Sequence, residues 1–146
     1  MKILEKVKIL VKPKDVFPWI AQPDKAMQWQ KDIKSSEVIK ETPEKIGTTF
    51  TETVEDNGKS LVMQGQITNY IQDKLMSFHI ESKVHNFDVT YSLEEQNNAT
   101  KLIVDLNIRW KFPINIASVI FRRKMKDNIR QNIIAELQEL KRLCEN

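Results

Sequence analysis

The chain has 146 residues, with 23 Lys plus Arg against 20 Asp plus Glu, one Cys, two His and three Gly. That length fits one domain, and 40% hydrophobic with 29% charged residues is the composition of a folded, soluble chain with a core large enough to hold a cavity. Lone Cys144 excludes an intrachain disulfide and any CxxC site, scattered Gly47, Gly58 and Gly65 exclude a P-loop or GxGxxG turn, and a net charge of +3 is too small to argue for nucleic acid.

The opening MKILEKVKILVK alternates charged and apolar residues, unlike the apolar region of a signal peptide, and no apolar run approaches the ~20 residues of a membrane span. A cytoplasmic protein is the expectation. Residues 2–11 read as a strand through Ile3, Val7, Ile9 and Val11. Pro13 opens a short helix that Pro18 limits, and Pro23 opens a second. From Lys34 to Phe112 the apolar period is two, the mark of half-buried antiparallel strands. Strands are predicted over 34–42 and 47–56, with Asn57-Gly58 as a hairpin turn into 59–70. Gln72-Asp73-Lys74 turns into a strand at 75–82; strand 85–95 leads through Gln96-Asn97-Asn98-Ala99 into the last, at 100–112. Residues 114–144 form one long helix, because Phe121, Met125, Ile129, Ile133, Leu137, Leu140 and Cys144 recur at spacings of three and four. About 30 residues at 1.5 Å rise make a helix of ~45 Å, enough to cross a small sheet.

The fold class is therefore α+β: about six or seven antiparallel strands curved around one long C-terminal helix, with two short helices after the first strand. The space between sheet and helix must be filled by side chains or by a ligand. Strict alternation assigns the inner face. It places Thr48, Phe50, Glu52 and Val54 inward, then Leu61, Met63, Gly65 and Ile67, then Met76, Phe78 and Ile80. His85, Phe87, Val89, Tyr91 and Leu93 follow, then Leu102, Val104, Leu106, Ile108 and Trp110. In 34–42 Val38 and Ile39 compete for the same side. Glu52 and His85 are the two titratable groups this places inside, where an unpartnered charge is costly. Either they anchor the polar end of a ligand or act as acid and base, or Glu52 lies near a strand end and reaches solvent, or a bulge shifts the register.

This order of elements resembles the helix-grip fold of the START/Bet v 1-like (SRPBCC) superfamily, and more narrowly its polyketide cyclase/dehydrase-like branch. VKILVKPKDVFPWI, MQWQKDIKSSEV with its Trp29, IGTTFTETVE, NYIQDKLMSFHIES and VTYSLEEQNNATKLIVDLNI carry the resemblance, across essentially the whole chain. It implies a deep apolar cavity between the curved sheet and the long helix, used for lipids, sterols, polyketides or aromatic ligands. Trp29 matches the aromatic that such proteins place after the short helices. No catalytic set transfers, and members include carriers, cyclases, regulators and chaperone-associated domains, so fold alone decides little.

The expected ligand-binding set is Trp29, Phe50, Glu52, Met63, Met76, Phe78, His85, Phe87, Tyr91, Trp110, Phe121 and Met125, an adaptable apolar lining unless the same residues are simply packed core. The expected function is binding of a hydrophobic small molecule or lipid without catalysis, with no cofactor and no metal. As an enzyme, the alternative is cyclase or dehydratase chemistry: Glu52 or His85 takes a proton beside a carbonyl while Tyr91 donates to the enolate. As an interaction protein, the third reading uses Arg122, Arg123, Lys124, Lys126 and Arg130, which cluster at the start of the long helix. Residues 101–146 carry ten basic and five acidic side chains, so the positive excess lies there. That surface suits transient contact with an anionic membrane or an acidic partner, nucleic acid not being expected; the bland alternative is a solvated helix face.

Overall fold

Seven strands and three helices follow one another in the computed structural model, which describes residues 1–56 and 58–146, Asp56 by its backbone. Half of the expected Asn57-Gly58 turn, Asn57, thus lies outside the described residues. The elements are β1 (Lys2–Ile9), α1 (Pro13–Ala21), α2 (Pro23–Trp29), β2 (Ile33–Lys40), β3 (Thr49–Asp56), β4 (Lys59–Ile71), β5 (Leu75–Glu81), β6 (His85–Gln96), β7 (Ala99–Trp110) and α3 (Val119–Glu145), with one 3₁₀ turn at Ile114–Ile116. The strands form one sheet in the order β1-β7-β6-β5-β4-β3-β2, every pair antiparallel. With the short helices early and the long helix last, this is an α+β helix-grip fold.

Local chemistry explains the corners. Asn97 and Asn98 take φ of 51° and 66°, the paired left-handed conformation of a two-residue hairpin, and Asp73 does the same singly at 63°. Two expectations fail. Pro18 does not end α1, which runs on to Ala21; the lost hydrogen bond is the one to the carbonyl of Lys14, a solvent-exposed residue. The long helix starts not at 114 but at Val119, where the Ser118 hydroxyl accepts from the Phe121 backbone N–H at 3.2 Å as an N-cap.

The packed core runs from β1 and β7 under the helices and on to Ile67, Met76 and Val89 of β4 to β6. Ile3, Val7 and Ile9 of β1 and Leu102, Val104 and Leu106 of β7 pack with Phe17 of α1 and with Leu137 and Leu140 of α3. Helix α3 is pinned along β1: Lys141 Nζ donates to the Lys8 carbonyl at 2.7 Å, Leu10 N–H donates to Glu145 Oε2 at 2.7 Å, and Arg130 Nε lies 3.1 Å from Glu5 Oε1. The apolar stripe predicted for α3 is accordingly buried at Leu137 and Leu140, whereas Phe121 at its other end is half exposed. Because α3 sits over the β1–β7 side, the inner face of β2 to β5 is left for something else to cover.

A candidate ligand cavity

What covers it is the α1–α2 pair, with space beneath. A cavity of about 640 Å³ lies between that pair and the inner faces of β2 to β6. Its walls include Phe17, Ile20 and Ala26 from the helices and Phe50, Met63, Phe78 and Val89 from the strands. No α3 residue lines it, so the expectation of a cavity between sheet and C-terminal helix is corrected: the roof is α1–α2. The helix pair keeps its shape through Trp29, whose ring is buried and whose Nε1 donates to the Trp19 carbonyl at 2.8 Å. Polar side chains Glu41, Lys45 and Gln72 stand among the lining residues, the first two paired at 3.0 Å.

Gly65 shapes the floor. It faces Phe50 across the β3–β4 pair, and the Phe50 ring occupies the place of its missing side chain: an added Cβ would come 2.2 Å from Phe50 Cζ. The absent side chain thus lets an aromatic ring lie back against the sheet and keeps the space above it open. Phe50 in turn meets Phe78 edge-to-face at 5.7 Å, and Phe78 meets Tyr91 at 6.3 Å.

Three titratable groups in or near this lining are shifted by burial. Glu52 faces the cavity as alternation predicts, and burial pushes its carboxyl up to about 7, only partly offset by the hydroxyl of Ser36, its cross-strand partner. The Tyr91 hydroxyl accepts from Gln30 Nε2 at 3.3 Å. Burial first, then the charges of Glu136 and Glu52, push its phenol well above the ordinary range, so it stays protonated. Glu136, on α3, is itself pushed up to about 7 by burial and then by Asp32, against a 2.7 Å hydrogen bond from Asn132 Nδ2. Glu136 was not expected from the sequence, yet the helical spacing points to it: it stands three residues after Ile133 and four before Leu140, on the apolar stripe.

Seven of the twelve expected ligand-binding residues line the cavity: Phe50, Glu52, Met63, Met76, Phe78, Phe87 and Tyr91. Trp29 instead supports the roof from within the core. His85 lies on the expected face but beyond the cavity's end. Its Nδ1 is 2.7 Å from Ser82 Oγ, its ring packs on Phe87 and Trp110, and burial holds its pKa below the ordinary value. Trp110 turns to a second groove beside Met1 and Val119. Phe121 and Met125 are outside the cavity wall as well. Ser36, Gln30, Tyr70 and the α1–α2 residues join the lining unannounced. Of the basic cluster, Arg122, Arg123 and Lys124 are exposed and Lys126 borders the second groove, while Arg130 is engaged with Glu5. Among the described residues no three His, Cys, Asp or Glu side chains converge as metal ligands would, and no helix is long and apolar enough to cross a membrane.

Comparison with known proteins agrees with this architecture. The family model described as Activator of Hsp90 ATPase homolog 1-like protein matches residues 10–145. A START superfamily protein from Mycobacterium smegmatis superimposes with a TM-score of 0.79 at 14% identity, covering 97% of this chain and 98% of that one. The Zhui aromatase/cyclase from Streptomyces does so with a TM-score of 0.80 at 10% identity, over 99% and 93%. No curated protein matches. At such identities the superpositions speak for the fold, which is that of the START/Bet v 1 superfamily.

Proposed function

The chain belongs to the Activator of Hsp90 ATPase homolog 1-like family, and from that footing we propose that it binds an apolar small molecule or lipid with one polar end. The observation that carries this reading is the cavity itself. About 640 Å³ falls in the range of small-molecule sites, and its lining is mostly aromatic, Met and aliphatic, with Glu52, Ser36, Gln30 and Tyr91 among its polar groups. Those groups suggest the polar end of the ligand. A Glu52 carboxyl raised to about 7 is partly protonated at neutral pH and can donate to a carbonyl or share a proton with a carboxylate, with the Tyr91 hydroxyl as second partner. Phe50, Phe78, Phe87, Met63 and Met76 would hold the apolar body, Met adapting to its shape. Native mass spectrometry of gently purified protein tests this: a bound apolar molecule, lost from a cavity-filled variant, is expected. A chain that is always empty and takes up no fatty-acid probe would contradict it.

One observation favours a second reading, proton-transfer chemistry of the cyclase or dehydratase type. A carboxyl poised near neutral pH, within electrostatic reach of a protonated phenol, is a fitting base, and the phenol a hydrogen-bond donor, for enolisation next to a carbonyl. His85, outside the cavity wall, takes no part in it. The two readings separate at Glu52→Gln, which leaves a carrier able to bind and removes the base from an enzyme.

A further inference from the structure

Ten residues between β7 and the first turn of α3, Phe112 to Phe121, form the apolar stretch FPINIASVIF with no charge in it. Most of its large side chains point into solvent. Ile120 is 81% exposed, Phe112 76% and Ile116 71%, with Val119 and Phe121 about half exposed. Five of the twelve exposed large hydrophobic residues among the described residues therefore fall in these ten positions. Scattered exposed apolar residues need no explanation, but five of them within ten consecutive uncharged residues are not scattered.

The charges around it are of one sign. From residue 106 to 126 there are six basic side chains and no acidic one. Arg109 is occupied by Asp88 at 2.8 Å, and Lys111 Nζ donates to the Ser82 carbonyl at 2.7 Å. Arg122, Arg123 and Lys124 remain exposed directly after the patch, and Lys126 follows one turn on. An acidic protein groove would match the charge but would have to bury the Phe112–Phe121 patch in a shape of its own. A water-filled groove of nucleic acid would leave the patch unused. An anionic bilayer accepts both at once: the apolar residues enter the acyl boundary while the basic ones remain at the headgroups.

We propose that Phe112 to Phe121 is a membrane-docking tip that inserts shallowly into an anionic bilayer, with Arg122, Arg123, Lys124 and Lys126 held at its lipid headgroups. The interaction is peripheral and reversible, since no lipid anchor or spanning helix is needed for it. It stands apart from the proposed ligand cavity, because none of these residues lines that cavity.

Flotation of the full chain with phosphatidylcholine vesicles, with and without phosphatidylserine, tests it. Binding is expected only with phosphatidylserine and is expected to fall as salt rises. Ile120→Asp is expected to weaken it about tenfold or more, and each charge removed at Arg122 or Arg123 about fivefold. All three positions are exposed, so thermal unfolding of the variants should match the parent. The proposal is overturned by absence of vesicle binding at low salt, or by binding that Ile120→Asp leaves unchanged. It is equally overturned if the patch instead drives a dimer in sedimentation, or RNA binding, with no affinity for vesicles.

Discussion

Glu52 and Glu136 are two carboxyls on different elements, both near Tyr91 and both raised to about 7 by burial. An unfolded Glu ionises near ~4.3, so between about pH 4.5 and 7 the folded chain binds more protons than the unfolded one. The stability this provides is fully present below about 4.5 and is lost as pH rises through about 7. Glu52 faces a cavity open to water, so its share is on the order of 1–2 kcal/mol, below the full linkage value. Glu52→Gln is therefore expected to stabilise the chain at about pH 8 and to change little at about pH 5, read from urea midpoints. An equal effect at both pH values would show that Glu52 is solvated and ordinary. Glu52 was legible because strict alternation set one carboxylate among Phe50, Met63 and Phe78. Glu136 was hidden, because on a helix with many charges its place on the stripe competes with the expectation that Glu faces water. His85 shows the reverse failure: alternation gave its face, but no periodicity tells how far along a strand a cavity extends.

At the scale of elements, the β3–β4 pair carries the cavity floor through one missing side chain. Gly65→Ala would put a Cβ 2.2 Å from Phe50 Cζ, so the ring must swing up into the cavity. A loss of about 1–3 kcal/mol is expected in chemical denaturation, with part of it recovered when Phe50→Leu is added. Additive losses would mean that Phe50 does not rest on Gly65. Most strands were legible because they alternate and end near Asn, Asp, Gly or Pro, whereas β2 is largely exposed and β5 ends at Ser82-Lys83-Val84 without such a residue. Pro18 misled because the carbonyl it leaves unpaired, that of Lys14, is at the surface, where water can partner it. The start of α3 misled for a different reason. Pro113 and the apolar run after it satisfy helix-start rules, whereas the true cap is Ser118, five residues later.

For the molecule as a whole, the place of the cavity follows from where α3 lies. Pinned to β1 by Lys141, Glu145 and Arg130, it closes the β1–β7 side with Leu137 and Leu140 and leaves β2 to β5 to the α1–α2 roof. The sequence displayed the components of that arrangement and the family resemblance named the fold. Neither contained the lateral position of α3, which depends on contacts between residues more than 130 apart in the chain. Titration with a fluorescent fatty-acid probe tests the cavity. Wild-type protein should bind the probe saturably at one site. Val38→Trp, on the edge strand β2 and facing the cavity, should weaken binding about tenfold at unchanged stability, because the indole occupies ligand space. No saturable binding, or equal affinity in the variant, would contradict a ligand cavity under α1 and α2.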